Sequence, residues 1–244
     1  MKIPYLQPPT KLGEGFLNFA KEIHQKSVEL GTKFTEEELA EFFNQSFSGK
    51  VRANFLLWIG DLNRIIEGIN IMLGDLNQLK SDRHSMTGDP VIRSEFLFQS
   101  FFGEFFRLKE ICKLFIKQLA KIKVLSNKNK EMLYDSYFTA FDWIYEIRNM
   151  MIHQGVTFKN YDVKFPEKFM TGLDPHEAEI FTKLVETSNT RQGTVEVQCA
   201  FYIWIISELM EHYLKFQHNM GDTLAELVLL YEDFALDITV SRND

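Results

Sequence analysis

The sequence is short of the residues that punctuate or staple a chain. Of its 244 residues, only 6 are Pro and 13 are Gly. A fold of many short strands needs frequent turn residues, so this scarcity excludes a strand-rich sandwich or barrel and favours long helices. There are only 2 cysteines, Cys112 and Cys199, and no CxxC pair. That excludes a disulfide framework and a cysteine-held metal. Both lie in apolar stretches and read as buried free thiols, which fits a reducing, cytoplasmic compartment. No apolar run approaches the ~20 residues that a membrane span requires; the best candidate, Ala200 to Ile206, is far too short. The opening stretch, Met1 to Thr10, contains Pro4, Pro8 and Pro9 and no apolar core of a secretion signal. Positive charge is also in deficit. A net charge of −7 argues against broad, non-specific nucleic-acid binding, which depends on neutralising phosphates.

What the chain has in excess is aromatic side chains. They make up 14% of residues, and Phe alone occurs 23 times. An aromatic-rich, wide core is expected, including the cluster Phe96, Phe98, Phe101, Phe102, Phe105 and Phe106. Apolar residues recur at helical spacing through most of the chain. After an extended lead-in, Pro4 to Gly13, the pattern predicts a helix over Glu14 to Leu30, stopped by Gly31. A short helix then opens at Thr35, where Thr35-x-x-Glu38 is a capping box. Long helices follow over Lys50 to Leu79, Ser94 to Val124, Glu131 to Ile152 and Thr194 to Gln217. Asp222 to Asp237 reads as a last, separate amphipathic helix. Lys80 to Pro90 and Ser126 to Lys130 read as polar connections. Between the third and fourth long helices lies an insert, Val156 to Gly193. It holds a weak hairpin pattern at Val156 to Phe165 and a short helix opened by Asp174 and Pro175. The reading is all-α and a single domain over 1–244. A four-helix core occupies about 50–218, with a helical extension at 1–49 and a C-terminal helix at 219–244.

One short constellation bears chemistry. Near the end of the third long helix stand Arg148, Asn149 and His153, with Gly155 just beyond. Five steps along a helix rotate about 500°, so Arg148 and His153 lie roughly 140° apart on a regular helix. A helix end that tightens or unwinds brings them closer. Histidine titrates near neutrality and serves as base or acid. An arginine fork matches non-bridging phosphate oxygens and stays charged. Asn149 is placed to hydrogen-bond a sugar or to hold the imidazole. One helix supplies one such set, and a symmetric dimer brings two together.

Arg148-Asn149-x-x-x-His153, on a helix late in a four-helix bundle, resembles the R-x4-6-H motif of the HEPN family. The resemblance covers about residues 50–218. It implies a metal-independent endoribonuclease that needs no cofactor. It implies a homodimer whose two motifs face each other, in a toxin–antitoxin or other defence role, with an antitoxin or other protein as a possible partner. By the same resemblance Arg148, Asn149 and His153 take the catalytic positions. The extra helices and the insert depart from the family's minimal pattern.

A second feature lies on the preceding helix. Lys109, Lys113, Lys117 and Lys121 recur every four residues and form a slowly winding stripe suited to an RNA backbone, or else a solvated face. No Glu has His three residues on, so the pattern of a di-iron bundle is missing and no metal is expected. The competing reading is an inert HEPN-like bundle, either an interaction protein or an RNA- or nucleotide-binding module, whose Arg148 and His153 are structural.

Overall fold

Four long helices organise the chain, and side-chain caps fix where two of them begin. In the computed structural model they are α1 (Phe47–Ser81), α2 (Pro90–Lys121), α3 (Asn127–His153) and α4 (Thr194–Val240). The structure describes residues 2–10, 12, 47–82, 87–153 and 194–240, with isolated positions between 21 and 35. Residues 47, 48, 143, 146, 147, 150–153, 194 and 230–240 are described by their backbone alone. All regular structure among the described residues is helical, as the periodicity predicts. The short helix at Thr35 and the elements expected within 156–193 lie outside the described residues.

The starts of α2 and α3 come earlier than the apolar pattern predicts. At α2, the Asp89 carboxylate accepts from the N–H groups of Val91 (2.8 Å) and Ile92 (3.1 Å), with Pro90 at the first helical position. At α3, the Ser126 hydroxyl accepts from the Asn129 N–H (3.1 Å), so Asn127 to Lys130 are helical and not a turn. The end of α2 is also earlier than expected, because Lys123 adopts φ 66° and the Leu119 carbonyl takes the Val124 N–H at 3.0 Å. This is a left-handed C-cap built on a residue other than glycine. Upstream, Gly31 sits at φ 65° with its N–H on the Val28 carbonyl, which matches its expected role as a stop.

The largest correction concerns α4, which runs unbroken where a break before Asp222 was expected. Gly221 lies inside it. A Cβ there would stand 3.2 Å from the Trp58 ring and 3.4 Å from Pro9. The glycine is a point of close approach, not a stop.

The chain divides into two units, each holding a segment of every long helix. The first unit comprises Met1–Pro4, Ile65–Lys109 and Ser136–His212. Its core is aromatic: Phe98, Phe101, Phe102 and Phe105 are buried, and Phe98 stacks on Tyr202 with centroids 4.0 Å apart. Phe96 departs from the expected core and is 65% exposed. The second unit comprises Tyr5–Arg64, Glu110–Asp135 and Tyr213–Asp244. There Trp58 stacks on Phe115 at 4.4 Å, and Phe55 meets Phe115 edge-on at 5.0 Å. Aromatic pairs of these geometries add ~1 kcal/mol each beyond the area they bury.

Both cysteines are buried free thiols, as expected. Burial pushes the Cys112 thiol up to about 12 from 9.0, against a smaller opposing pull from the Gln217 side chain. Burial raises Cys199 to about 11, opposed by Lys80. It also raises the Tyr202 hydroxyl, although Gln198 donates to that oxygen at 2.7 Å. These folded-state values lie above the unfolded ones, so above pH 9 the unfolded chain sheds protons that the folded chain keeps. Stability is therefore fully present below pH 9 and declines from pH 9 towards 12. The expected slope is up to about 1.4 kcal/mol per pH unit for each group, read as the urea midpoint at pH 8, 9.5 and 11. A thiol reagent at pH 8 should modify neither cysteine until the chain unfolds.

Candidate functional site

The predicted site lies in the first unit, on the last three turns of α3 and the facing part of α2. Phe106, Lys109, Tyr145 and Arg148 are built into one cluster. The Arg148 guanidinium carbon lies 4.6 Å from the Phe106 ring centroid. The Lys109 ammonium is 4.2 Å from the Tyr145 ring, 4.7 Å from Phe138 and 5.2 Å from Phe106. Two cations thus share one aromatic face system, and Phe106 serves both. Helical spacing explains the local arrangement. Phe106 and Lys109 are three apart on α2, while Phe138, Tyr145 and Arg148 step along one side of α3 at seven and three. Tyr145 is fixed from behind, since its hydroxyl and that of Tyr137 are 2.9 Å apart in the core.

Arg148 itself is half-buried, and Asn149 is exposed. The Arg148 Nη1 donates to the Asn149 side-chain oxygen at 3.2 Å. Its Nε is buried without a hydrogen-bond partner among the described residues. Among those residues no carboxylate pairs with Arg148. A guanidinium on a ring, with no carboxylate partner among the described residues, is held in a fixed orientation there.

His153 is the last residue of α3, and the helix stays regular to that point. On the backbone it therefore keeps the offset of roughly 140° from Arg148. The imidazole lies outside the described side chains.

The four lysines of the stripe have different surroundings. Lys109 is half-buried among the three rings. Lys113, in the second unit, is half-buried and paired with Glu110 at 3.4 Å. Lys117 and Lys121 are exposed. Lys109 thus belongs with Arg148, and the outer two keep the solvated character of a basic face. Beyond Glu104 the helix balances part of its charge, since Arg107 bonds both Glu104 oxygens at 2.9 and 2.7 Å.

Among the described residues no group of three His, Cys, Asp or Glu side chains stands close enough to share a metal ion. His212 instead contacts the Glu208 carbonyl at 3.0 Å. No described helix is long and apolar enough to cross a membrane.

The sequence pattern identified Arg148, Asn149 and Lys109 but assigned Phe106 to the core and gave no role to Phe138 or Tyr145. The signal was available in part: Phe106 and Lys109 at i, i+3 lie at the edge of a buried phenylalanine run. Compared with known proteins, the chain matches no family model, no curated protein and no solved structure.

Proposed function

We propose that the chain is a HEPN-like endoribonuclease that cleaves RNA without a metal and acts as a homodimer. The observation that carries this reading is the Arg148 guanidinium, oriented by Phe106 and Asn149 and unpaired with any described carboxylate. Such a fork is prepared for a scissile phosphate. Lys109 adds a second positive charge on the same aromatic wall, favouring an anionic ligand there.

In the proposed reaction the ribose 2′-hydroxyl attacks the adjacent phosphorus. His153 of one copy takes the 2′ proton, and a histidine of the other copy protonates the departing 5′-oxygen. Arg148 stabilises the charge that develops on the non-bridging oxygens, and Asn149 orients the arginine. The products are a 2′,3′-cyclic phosphate and a 5′-hydroxyl. A toxin or defence role and a protein partner belong to the same proposal, through the family resemblance alone.

The second reading is an RNA- or nucleotide-binding module that does not cut. The enclosure of Lys109 by three rings favours it, because that geometry fixes charge for binding without needing an acid or base. Incubation of a mixed RNA pool with the full chain in EDTA separates the two. Fragments ending in cyclic phosphate are expected. A folded chain that shifts RNA in a gel but leaves it intact establishes the binding module instead.

A further inference from the structure

The opening segment is held by a device that reads backbone, not side chains. In the first unit, Ile3 N–H donates to the Asn70 side-chain oxygen at 2.7 Å, and the Asn70 amide donates to the Ile3 carbonyl at 3.0 Å. In the second unit, Leu6 and Asn63 make the same pair of bonds, at 2.7 and 3.0 Å. Each asparagine thus gives one residue what a neighbouring β-strand would give it.

The spacing matches on both sides. Asn63 and Asn70 are seven residues apart on α1, an axial rise of about 10.5 Å. Ile3 and Leu6 are three residues apart in the opposite chain direction, and three extended residues span roughly 10 Å. The segment shows the same period in burial. Ile3, Leu6 and Pro9 are buried and the residues between them exposed. From Thr10 the chain turns helical, with the Leu12 N–H on the Pro9 carbonyl at 2.9 Å, so the lead-in expected to stay extended from Pro4 to Gly13 ends at Pro9. A period of three is that of an extended polyproline-type ligand with one side down, and Pro4, Pro8 and Pro9 stiffen it.

The α1 register does not end at Asn70. Asn77, seven residues further and exposed, donates to the Leu73 carbonyl of its own helix at 2.8 Å. It repeats the position of the two clamps and is not engaged by the described part of the segment.

We propose that α1 carries a peptide-docking site for an extended segment of a partner protein with an apolar residue at every third position. Residues 2–9 are its resident, intramolecular occupant. A partner segment reaching three residues beyond the place of Ile3 engages Asn77 as well and displaces the resident. Backbone recognition by side-chain amides supplies affinity, and the apolar third positions supply selectivity.

The test uses the full chain with Ile3→Asp and Leu6→Asp, which loosens the resident segment, and a fluorescent peptide of sequence Lys2 to Pro9. Saturable binding by anisotropy is expected. Adding Asn70→Leu should weaken it about 10-fold, the value of one lost pair of bonds. A peptide lengthened to place a leucine three positions before Ile3 should bind several-fold tighter, on the order of one further clamp, and Asn77→Leu should remove only that gain. Absence of saturable binding by a chain of wild-type helix content overturns the proposal, as does binding indifferent to Asn70→Leu. If the double aspartate chain fails to fold, hydrogen exchange on the unmodified chain decides. The Ile3 and Leu6 amides should lose protection as the longer peptide is added to millimolar excess, and unchanged protection overturns the proposal.

Discussion

RNA cleavage by a His153→Ala chain is expected to fall by about 10²- to 10⁴-fold, the usual contribution of a positioned acid or base. RNA binding should stay within a factor of two or so of wild type, because the phosphate-facing charges remain. Arg148→Ala should behave differently and lose both, with binding weaker by about 10-fold. Arg148→Lys is the sharper variant. It keeps the charge but loses the planar group that lies on Phe106 and the fork that bonds Asn149. Binding should largely survive while cleavage falls with His153→Ala, because a point charge does not fix two phosphate oxygens at once. Cleavage rates on a defined oligonucleotide, with gel-shift affinities beside them, check all three. Equal losses of binding and cleavage in the His153 chain would sink the catalytic role of that histidine.

Gly221→Leu should lower the unfolding free energy by roughly 3 kcal/mol, at the upper end of overpacking costs. Even a Cβ would meet the Trp58 ring at 3.2 Å and Pro9 at 3.4 Å. The ring has little freedom to retreat, since it also stacks on Phe115 at 4.4 Å and meets Phe55 edge-on at 6.0 Å. Gly221→Ala is the informative comparison. Helix propensity alone would make alanine about 1 kcal/mol more stable than glycine. The contact with Trp58 opposes that, so the net change should be near zero or a loss. A clear gain in the urea midpoint, with an unchanged denaturant slope, would show that Trp58 yields easily.

The four long helices were legible because their apolar residues recur at 3.6-residue spacing over many turns. Their ends were less so, since caps rest on single polar atoms. Asp89 and Pro90 carry the same start signal that Asp174 and Pro175 do, but the polar stretch before them masks it. Asn127 to Lys130 lack apolar residues and read as a turn until the Ser126 cap is seen. The candidate site could be picked out in the sequence from Arg148 and Asn149, whose types suit a phosphate ligand. Its aromatic wall was not. Whether Phe106 joins the core or supports a cation depends on what α3 places opposite it, and periodicity along one helix cannot report that. The docking of the first residues was hidden for the same reason. Its trace is the recurrence of Asn63, Asn70 and Asn77 at intervals of seven along a helix whose other face is apolar.

The Asn63 and Asn70 clamps also set rules for how the first twelve residues can drift in sequence. The amides bond to main-chain atoms, so Ile3 and Leu6 can exchange for other apolar residues with little consequence. The prohibited residue is proline, which would delete the N–H that each asparagine accepts from. Proline is tolerated at 4, 8 and 9 and should be barred from 3 and 6. Relatives of this chain are therefore best sought by that grammar, two paired asparagines and a proline-spaced apolar triplet pattern, more than by identity along the segment itself.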